Sequence, residues 1–254
     1  MRSRPRVHAG YRYTHSHFNL SASPHRITYF LFQAMDHAFS NRLLLIPLFQ
    51  GFSRLDFLDI VEKTTFDFRS YKPSQTVVRQ GEESHSLCII LKGEVECITD
   101  SPDHTYKFHE RITAPCIVQP ECLFGLHNRY AHSFKAIGEV QVVILNKQSV
   151  RHLLSQYPAF QINFYNLICT YAQHVSGLLW QMRRTTIEER FRTFMQRRSL
   201  RPSGCKELHI RMEDLALELG TTRLRVSQML AELSKRALIS HSRGSIVVHA
   251  LELL

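Results

Sequence analysis

The chain has 254 residues, 44% of them apolar and 21% charged, which is the composition of a globular protein with a buried core. No apolar run approaches the roughly 18 residues that a membrane-spanning helix needs, so the sequence predicts no membrane partner. The formal net charge of +10 is unevenly placed: residues 181–254 carry fourteen basic and eight acidic side chains, which favours a polyanionic partner such as nucleic acid.

Residues 1–40 are predicted to be a weakly ordered basic extension. Residues 1–34 hold five arginines, no acidic residue and no sustained hydrophobic period. A nucleic-acid-binding arm, a targeting segment, or translated sequence upstream of a natural start at Met35 all fit this composition.

Residues 41–150 are predicted to form a β domain. Short runs of β-branched and apolar residues recur about every ten positions, and glycines such as Gly81 and Gly93 separate some of them. This spacing is typical of a sandwich or barrel. The runs are TVV, SLCIILK, EVECITD, YKFHERI, HSFKAIG and VQVVILN.

The six cysteines form no CxxC pair, which predicts reduced, mostly buried thiols in a cytosolic protein. Cys116 and Cys122 are close in sequence, so a redox pair is an alternative. No basic neighbour obviously lowers the pKa of either thiol, which argues against that alternative.

Residues 151–183 are predicted to contain a long dimerisation helix. Its apolar residues alternate in steps of four and three, the spacing of a coiled-coil stripe. A single helix packed on its own domain is the alternative, and we favour the homodimer. The predicted interface residues are Phe164, Ile168, Tyr171, Val175, Leu178 and Met182.

Residues 184–254 contain a helix that ends near Pro202, a strand (ELHI), two short helices and a hairpin around Gly244. The two short helices satisfy the requirements of a helix-turn-helix. Gly220 can supply the turn, Thr222 can cap the second helix, and apolar residues recur on the inner faces of both helices.

The polar residues of the second helix are candidates for DNA contact, since the N-terminal residues of such a helix reach base edges in the major groove. Hydroxyls at the helix start suit phosphate, and an arginine in the hairpin suits a wing. An ordinary two-helix hairpin with a solvated basic face is the alternative. The candidate DNA-binding residues are Thr221, Thr222, Arg223, Arg225, Ser227, Gln228 and Arg243.

The segments YKPSQTVVRQGEESHSLCIILKGEVEC and MEDLALELGTTRLRVSQMLAELSKRALISHSRGSIVV, in this order, resemble the Crp/Fnr family of bacterial transcription regulators. The resemblance implies an α+β fold: a cyclic-nucleotide-binding-like β-roll (jelly roll), a long dimerisation helix and a winged helix-turn-helix. It also implies a cytoplasmic homodimer that reads a palindromic operator in double-stranded DNA, responds to a small-molecule effector and contacts RNA polymerase.

The sequence departs from the family at its ligand sites. Gln119-Pro120 stands where cyclic-nucleotide binders have Gly-Glu, and residues 130–132 (Tyr-Ala-His) stand where they have an arginine for the phosphate. We therefore expect no cyclic-nucleotide binding at the usual site, and the effector is unknown. Residues 1–87 contain no cysteine, which excludes the iron–sulfur cluster of the oxygen-sensing branch. The family's glutamate and second arginine on the recognition helix are replaced by Leu224 and Gln228, so a different operator is expected.

Two other classes of function are weighed against a DNA-binding regulator. A small-molecule-binding or protein-interaction module would leave the basic C-terminal charge unexplained. A cupin-type enzyme would need histidines and an acid converging on a metal, and the HxH spacing with a following Glu is missing, so no enzyme and no metal are predicted. Haem sensing by a histidine of the β domain stays open.

Overall fold

The computed structural model describes residues 42–179 and 186–254. The predicted N-terminal extension and Met182 lie outside these ranges, and the side chain of Leu178 is not described either. The α-helices are α1 (Arg54–Lys63), α2 (Lys147–Gln156), α3 (Pro158–Leu179), α4 (Ile187–Arg198), α5 (Met212–Glu218) and α6 (Arg223–Lys235). The strands of the β domain are β1 (Asp67–Tyr71), β2 (Thr76–Val78), β3 (Ser86–Lys92), β4 (Glu94–Asp100), β5 (Tyr106–Thr113), β6 (Cys116–Val118), β7 (Ser133–Ala136) and β8 (Val140–Asn146). The C-terminal strands are β9 (Lys206–Ile210), β10 (Ile239–Ser242) and β11 (Ser245–Val248).

The β domain consists of two antiparallel layers, as the strand spacing predicts. One sheet has the order β1-β8-β3-β6, and strands β5-β4-β7-β2 belong to the facing sheet. Strand β5 alternates buried and exposed side chains, because one face of the sheet packs on the core and the other meets solvent. The predicted β-roll is confirmed.

Helices α2 and α3 follow the β-roll. Asn146 caps α2 by accepting a hydrogen bond from the amide of Ser149. Phe160 of α3 is fully buried and lies against Phe49, with 5.5 Å between ring centroids. The first half of α3 is therefore anchored on its own β domain. No helix in the described ranges is long and apolar enough to cross a bilayer.

The C-terminal part is a winged helix-turn-helix. Helix α4 begins with a capping box, in which Thr186 and Glu189 satisfy each other's backbone amides. Strand β9, helices α5 and α6, and the hairpin β10–β11 follow in the predicted order. Their apolar side chains share one core, which contains Leu208, Leu230 and Ile246.

One sheet crosses from the β-roll into the winged helix-turn-helix. Strand β5 pairs with β4 on one side and with β9 on the other, so the full strand order is β10-β11-β9-β5-β4-β7-β2. The sequence predicts the strands but not this pairing. The two halves of residues 42–254 are therefore joined by a continuous hydrogen-bonded ladder as well as by the chain.

Candidate DNA-binding surface and effector cavity

The turn between α5 and α6 is a Schellman motif. The amide of Thr221 donates to the carbonyl of Ala216 at 2.9 Å, and the amide of Gly220 donates to Leu217 at 3.0 Å. Gly220 has φ of 58°, the left-handed conformation that glycine adopts without strain. Thr222 then caps α6 by accepting from the amide of Arg225 at 3.4 Å. The local structure predicted for this turn is confirmed.

The inner face of α6 is apolar, and its outer face presents the predicted DNA-contacting residues. The inward side chains of Val226 and Leu230 are fully buried. The outward residues Thr222, Arg223, Arg225, Ser227 and Gln228 are exposed, and Thr221 is half-buried. An exposed basic helix start with hydroxyl and amide groups can donate hydrogen bonds to phosphate oxygens while its side chains reach base edges.

Arg223 makes an ion pair at the protein surface. Its Nε lies 3.3 Å from Oε1 of Glu213, and both side chains are mostly exposed. Ion pairs between exposed side chains contribute little free energy because water screens them. Leu224 is also 68% exposed, so an apolar contact is available beside Arg223.

Helix α4 makes hydrogen bonds to the turn before α6 and to the residue after it. Nη1 of Arg190 donates to the carbonyls of Leu219 at 2.7 Å and Gly220 at 3.1 Å, at the C-terminal end of α5. Arg236, directly after α6, donates to Glu188 at 2.8 Å. These brace residues were not singled out from the sequence, because their partners lie 29 to 48 positions away.

The wing is the hairpin β10–β11. Ser242 and Ser245 are Cα partners, so Arg243 and Gly244 form the tip. Gly244 has φ of 79°, which allows the tight turn, and Arg243 is exposed. The tip is therefore free to touch a phosphate.

A cavity of about 290 Å³ lies between the β-roll, α3 and residues 200–201. Its lining is mainly apolar and includes Ile112, Phe134 and Leu167. Glu121 also lines it, and burial raises the pKa of that carboxyl. No sequence motif marks Glu121, although it directly follows Pro120 in the segment that resembles the family's ligand loop.

Two domain families match the chain. The cyclic nucleotide-binding domain matches residues 68–157, and the Crp-like helix-turn-helix domain matches residues 173–254. The chain is a transcription regulator of the Crp/Fnr family. Its fold is that of DNA-binding transcription regulators of this family.

Two similar solved structures are each less than 20% identical to this chain in sequence. The catabolite activator protein of Thermus thermophilus is 19% identical, with 80% of this chain and 94% of that chain covered and a TM-score of 0.47. FixK2 from Bradyrhizobium japonicum is 16% identical over 72% of this chain and 92% of that chain, with a TM-score of 0.42. No curated protein sequence matches the chain.

The segment in which Gln119-Pro120 replaces the expected Gly-Glu is held by hydrogen bonds among its own neighbouring residues. Gln119 adopts φ of 39°, and its side-chain amide accepts from the backbone N–H of Ala131 at 2.7 Å and donates to the carbonyl of His132 at 3.2 Å. Arg129 donates instead to Glu83 at 3.0 Å. The arginine nearest to the expected phosphate position is thus engaged at the exposed rim of the β-roll.

The residues of the predicted dimer stripe divide between two environments. Phe164 is 5% exposed within its own chain, where its ring packs against Phe124, and Ile168 is half-buried. Tyr171 lines the cavity but remains 39% exposed, and Val175 is 41% exposed. The start of the stripe therefore packs on the β-roll, and its later part offers surface to a second copy.

Two thiols and one histidine of the β-roll lie where burial disfavours their charged forms. Burial raises the pKa of Cys116 to about 11 and also raises the pKa of Cys122. Burial lowers the pKa of His132 to about 4, and its Nδ1 lies 2.6 Å from the hydroxyl of Thr99. Within residues 42–179 and 186–254, no three His, Cys, Asp or Glu side chains are grouped to hold a metal ion.

Proposed function

We propose that the protein is a homodimer that binds a palindromic operator in double-stranded DNA, with one α6 helix in each of two successive major grooves. The observation that carries this proposal is the exposed polar face of α6, which begins at a capped, braced N-terminus. A helix of this diameter fits the major groove, and two-fold symmetry places half-sites about 34–36 Å apart. Because operators lie on genomic DNA, the proposal places the protein in the cytoplasm, with RNA polymerase as a further partner.

Individual roles follow from position on α6. Arg223 and Gln228 are proposed to contact base edges, because arginine pairs with guanine and glutamine with adenine through two hydrogen bonds each. Arg225 and Ser227 share this exposed face. Thr221 and Thr222 are proposed to hold phosphate at the positive end of the helix dipole, and Arg243 to hold phosphate from the wing.

The proposed dimer interface is the exposed side of α3. Large apolar side chains there are available to a second copy, and their burial would contribute roughly 25 cal/mol for each Å² removed from water. The exposed fractions are 39% for Tyr171 and 41% for Val175, which lie on one side of the helix. Leu178 and Met182 remain part of the proposed interface from the heptad spacing alone.

The proposed effector is a small molecule other than a cyclic nucleotide. A cyclic phosphate needs a matched cation, and burying its charge without one costs several kcal/mol. The side chain of Gln119 is bonded to the loop's own backbone, and Arg129 lies at the exposed rim of the β-roll, where it donates to the carbonyl of Gly81 and to Glu83. The apolar cavity beside Glu121 suits a mainly uncharged ligand. We propose no iron–sulfur cluster, and an absorbance scan of purified protein tests for haem.

The test begins with selection of bound duplexes from a random library. Affinity for the selected operator is then measured by fluorescence anisotropy for the wild type, Arg223→Ala and Lys235→Ala. The two substitutions remove the same charge from opposite ends of α6, and both side chains are mostly exposed. We expect Arg223→Ala to lose about 1–3 kcal/mol of binding and to relax base preference at one position of each half-site.

Lys235→Ala should leave the base preference unchanged. The wild-type affinity should fall steeply between about 50 and 200 mM salt, as counterion release requires. If the two variants lose the same affinity, or if no duplex is selected at low salt, the proposed readout through α6 is wrong. The second result would favour a module that binds small molecules or proteins.

A further inference from the structure

Strand β9 of the winged helix-turn-helix lies directly against strand β5 of the β-roll. Their Cα partners run from Tyr106 and Ile210 to Glu110 and Lys206, without a register shift. We call this pairing the β5–β9 junction. Because each register pair fixes the next, the junction allows one orientation of β9 relative to the β-roll.

A buried ion pair closes one end of the junction. Nζ of Lys206 lies 2.8 Å from Oε1 of Glu110, and each side chain is 1% exposed. The Glu110 carboxylate also accepts from the backbone amides of Leu200 at 2.8 Å and Arg201 at 2.9 Å, while Lys206 donates to the carbonyl of Ser203. A buried ion pair with its remaining hydrogen-bonding groups satisfied is specific in geometry, and removing one partner leaves an uncompensated charge.

The same strand contributes to both hydrophobic cores. Phe108 of β5 is 1% exposed and belongs to the core of the winged helix-turn-helix, whereas Ile112 of β5 belongs to the β-roll core. Helix α4 also contacts β5: Nε of Arg198 donates to the hydroxyl of Tyr106 at 2.8 Å. The guanidinium of Arg198 lies 3.6 Å from the ring centroid of Phe194. Packing therefore supports the backbone ladder.

The junction also forms part of the cavity wall. Leu200 and Arg201 line the cavity, and the carboxylate of Glu110 holds their amides. Ile112, two residues further along β5, lines the cavity as well. A ligand in the cavity would touch residues on both sides of the junction.

We infer that Glu110 and Lys206 are positioning residues that hold the winged helix-turn-helix on the β-roll in its operator-binding orientation. The outer face of α6 is exposed while the junction is closed, so the closed arrangement leaves the DNA-contacting residues free. A dimer that reads two half-sites needs a fixed spacing between its α6 helices, whereas a single α6 helix on a half-site does not. The inference rests on the proposed function, because it concerns how two copies of α6 are oriented.

The main variant is the double substitution Glu110→Leu with Lys206→Met, which fills both positions with apolar side chains. It removes the ion pair and leaves the amides of Leu200 and Arg201 without their acceptor and the carbonyl of Ser203 without its donor. The matched control is Glu207→Gln, which neutralises an acid on the solvent-facing side of β9. Both are compared with the wild type in a Cys169→Ser, Cys205→Ser background. Circular dichroism establishes that each variant is folded.

We expect the double variant to lose at least tenfold in affinity for the two-half-site operator and less than twofold for a single half-site duplex. The control should match the wild type on both duplexes. Adding Lys107→Cys and His209→Cys, which are Cα partners across the junction, allows the double variant to be cross-linked. Oxidation should restore operator affinity, and reduction should abolish the rescue. Equal losses on both duplexes, or a cross-linked protein that cannot bind the operator, would overturn the inference.

Hydrogen exchange tests the junction without DNA. Amides of residues 206–210 should exchange faster in the double variant than in the wild type or the control, while amides of residues 226–235 stay protected. Unchanged protection of residues 206–210 would show that the ion pair does not hold the junction. This measurement tests the inference even if the protein binds no DNA. Absence of DNA binding would refute the proposed function but not the role of the ion pair in the junction.

Discussion

Replacement of Arg190 by alanine should destabilise the helix-turn-helix and weaken operator binding. The substitution removes two charge-assisted hydrogen bonds, at 2.7 and 3.1 Å, from carbonyls at the C-terminal end of α5. Each such bond is worth roughly 1.5–3 kcal/mol, and the favourable interaction with the helix dipole adds a few tenths. A smaller effect opposes this loss. The buried Nε of Arg190 has no acceptor among the described residues, so removing it also removes the free-energy cost of burying an unsatisfied donor. The net loss of unfolding free energy should be about 2 kcal/mol.

For a cooperative unit of this size, that loss lowers the melting temperature by about 4–8 °C. Thermal unfolding followed by circular dichroism measures it. Arg192→Ala is the matched control, since it removes the same residue type from the exposed side of α4. Operator affinity should fall about tenfold more in Arg190→Ala than in the control, because the turn that carries Thr222 loses its brace. Equal melting temperatures for the two variants would refute the brace.

Three further outcomes are expected. Burial lowers the pKa of His132 from 6.5 to about 4, so between these pH values the unfolded chain binds a proton that the folded chain does not. The free energy of unfolding should therefore rise with pH across that window, by up to about 3 kcal/mol. Urea titrations at several pH values should show this slope, and His132→Gln should flatten it. Thiol reagents should label Cys169 and Cys205 rapidly in the folded protein, since these cysteines are exposed, and further fast-reacting thiols would contradict the described core. Val175→Asp should shift sedimentation equilibrium from dimer towards monomer while Gln173→Asp should not; a dimer that survives Val175→Asp places the interface elsewhere.

Local chemistry explains why the helix-turn-helix could be predicted in detail. The residues that form the turn, cap α6 and face the core lie within a few positions of one another, beginning with Gly220 and Thr222. The local sequence pattern therefore predicts the turn, the N-cap and the buried face of α6 together. The β5–β9 junction could not be predicted in this way, because the two strands lie about a hundred residues apart and β9 has no sequence mark that selects β5 over another strand edge.

The heptad stripe illustrates a second limit. Spacing places Phe164, Tyr171 and Val175 on one side of α3, but periodicity does not say which neighbour covers that side. In the structure Phe124 of the β-roll covers Phe164. Glu121 was missed for a similar reason, since its importance comes from burial beside a cavity and not from a motif.

The participation of Phe108 in the C-terminal core means that the two matched domain regions are not self-sufficient pieces. A fragment starting near residue 186 would lack an aromatic side chain at the centre of its interior, would leave Lys206 without its carboxylate, and would present β9 as a bare strand edge to other molecules. A fragment cut between the halves should therefore fold poorly and aggregate. In the intact protein, both halves should unfold in a single thermal transition.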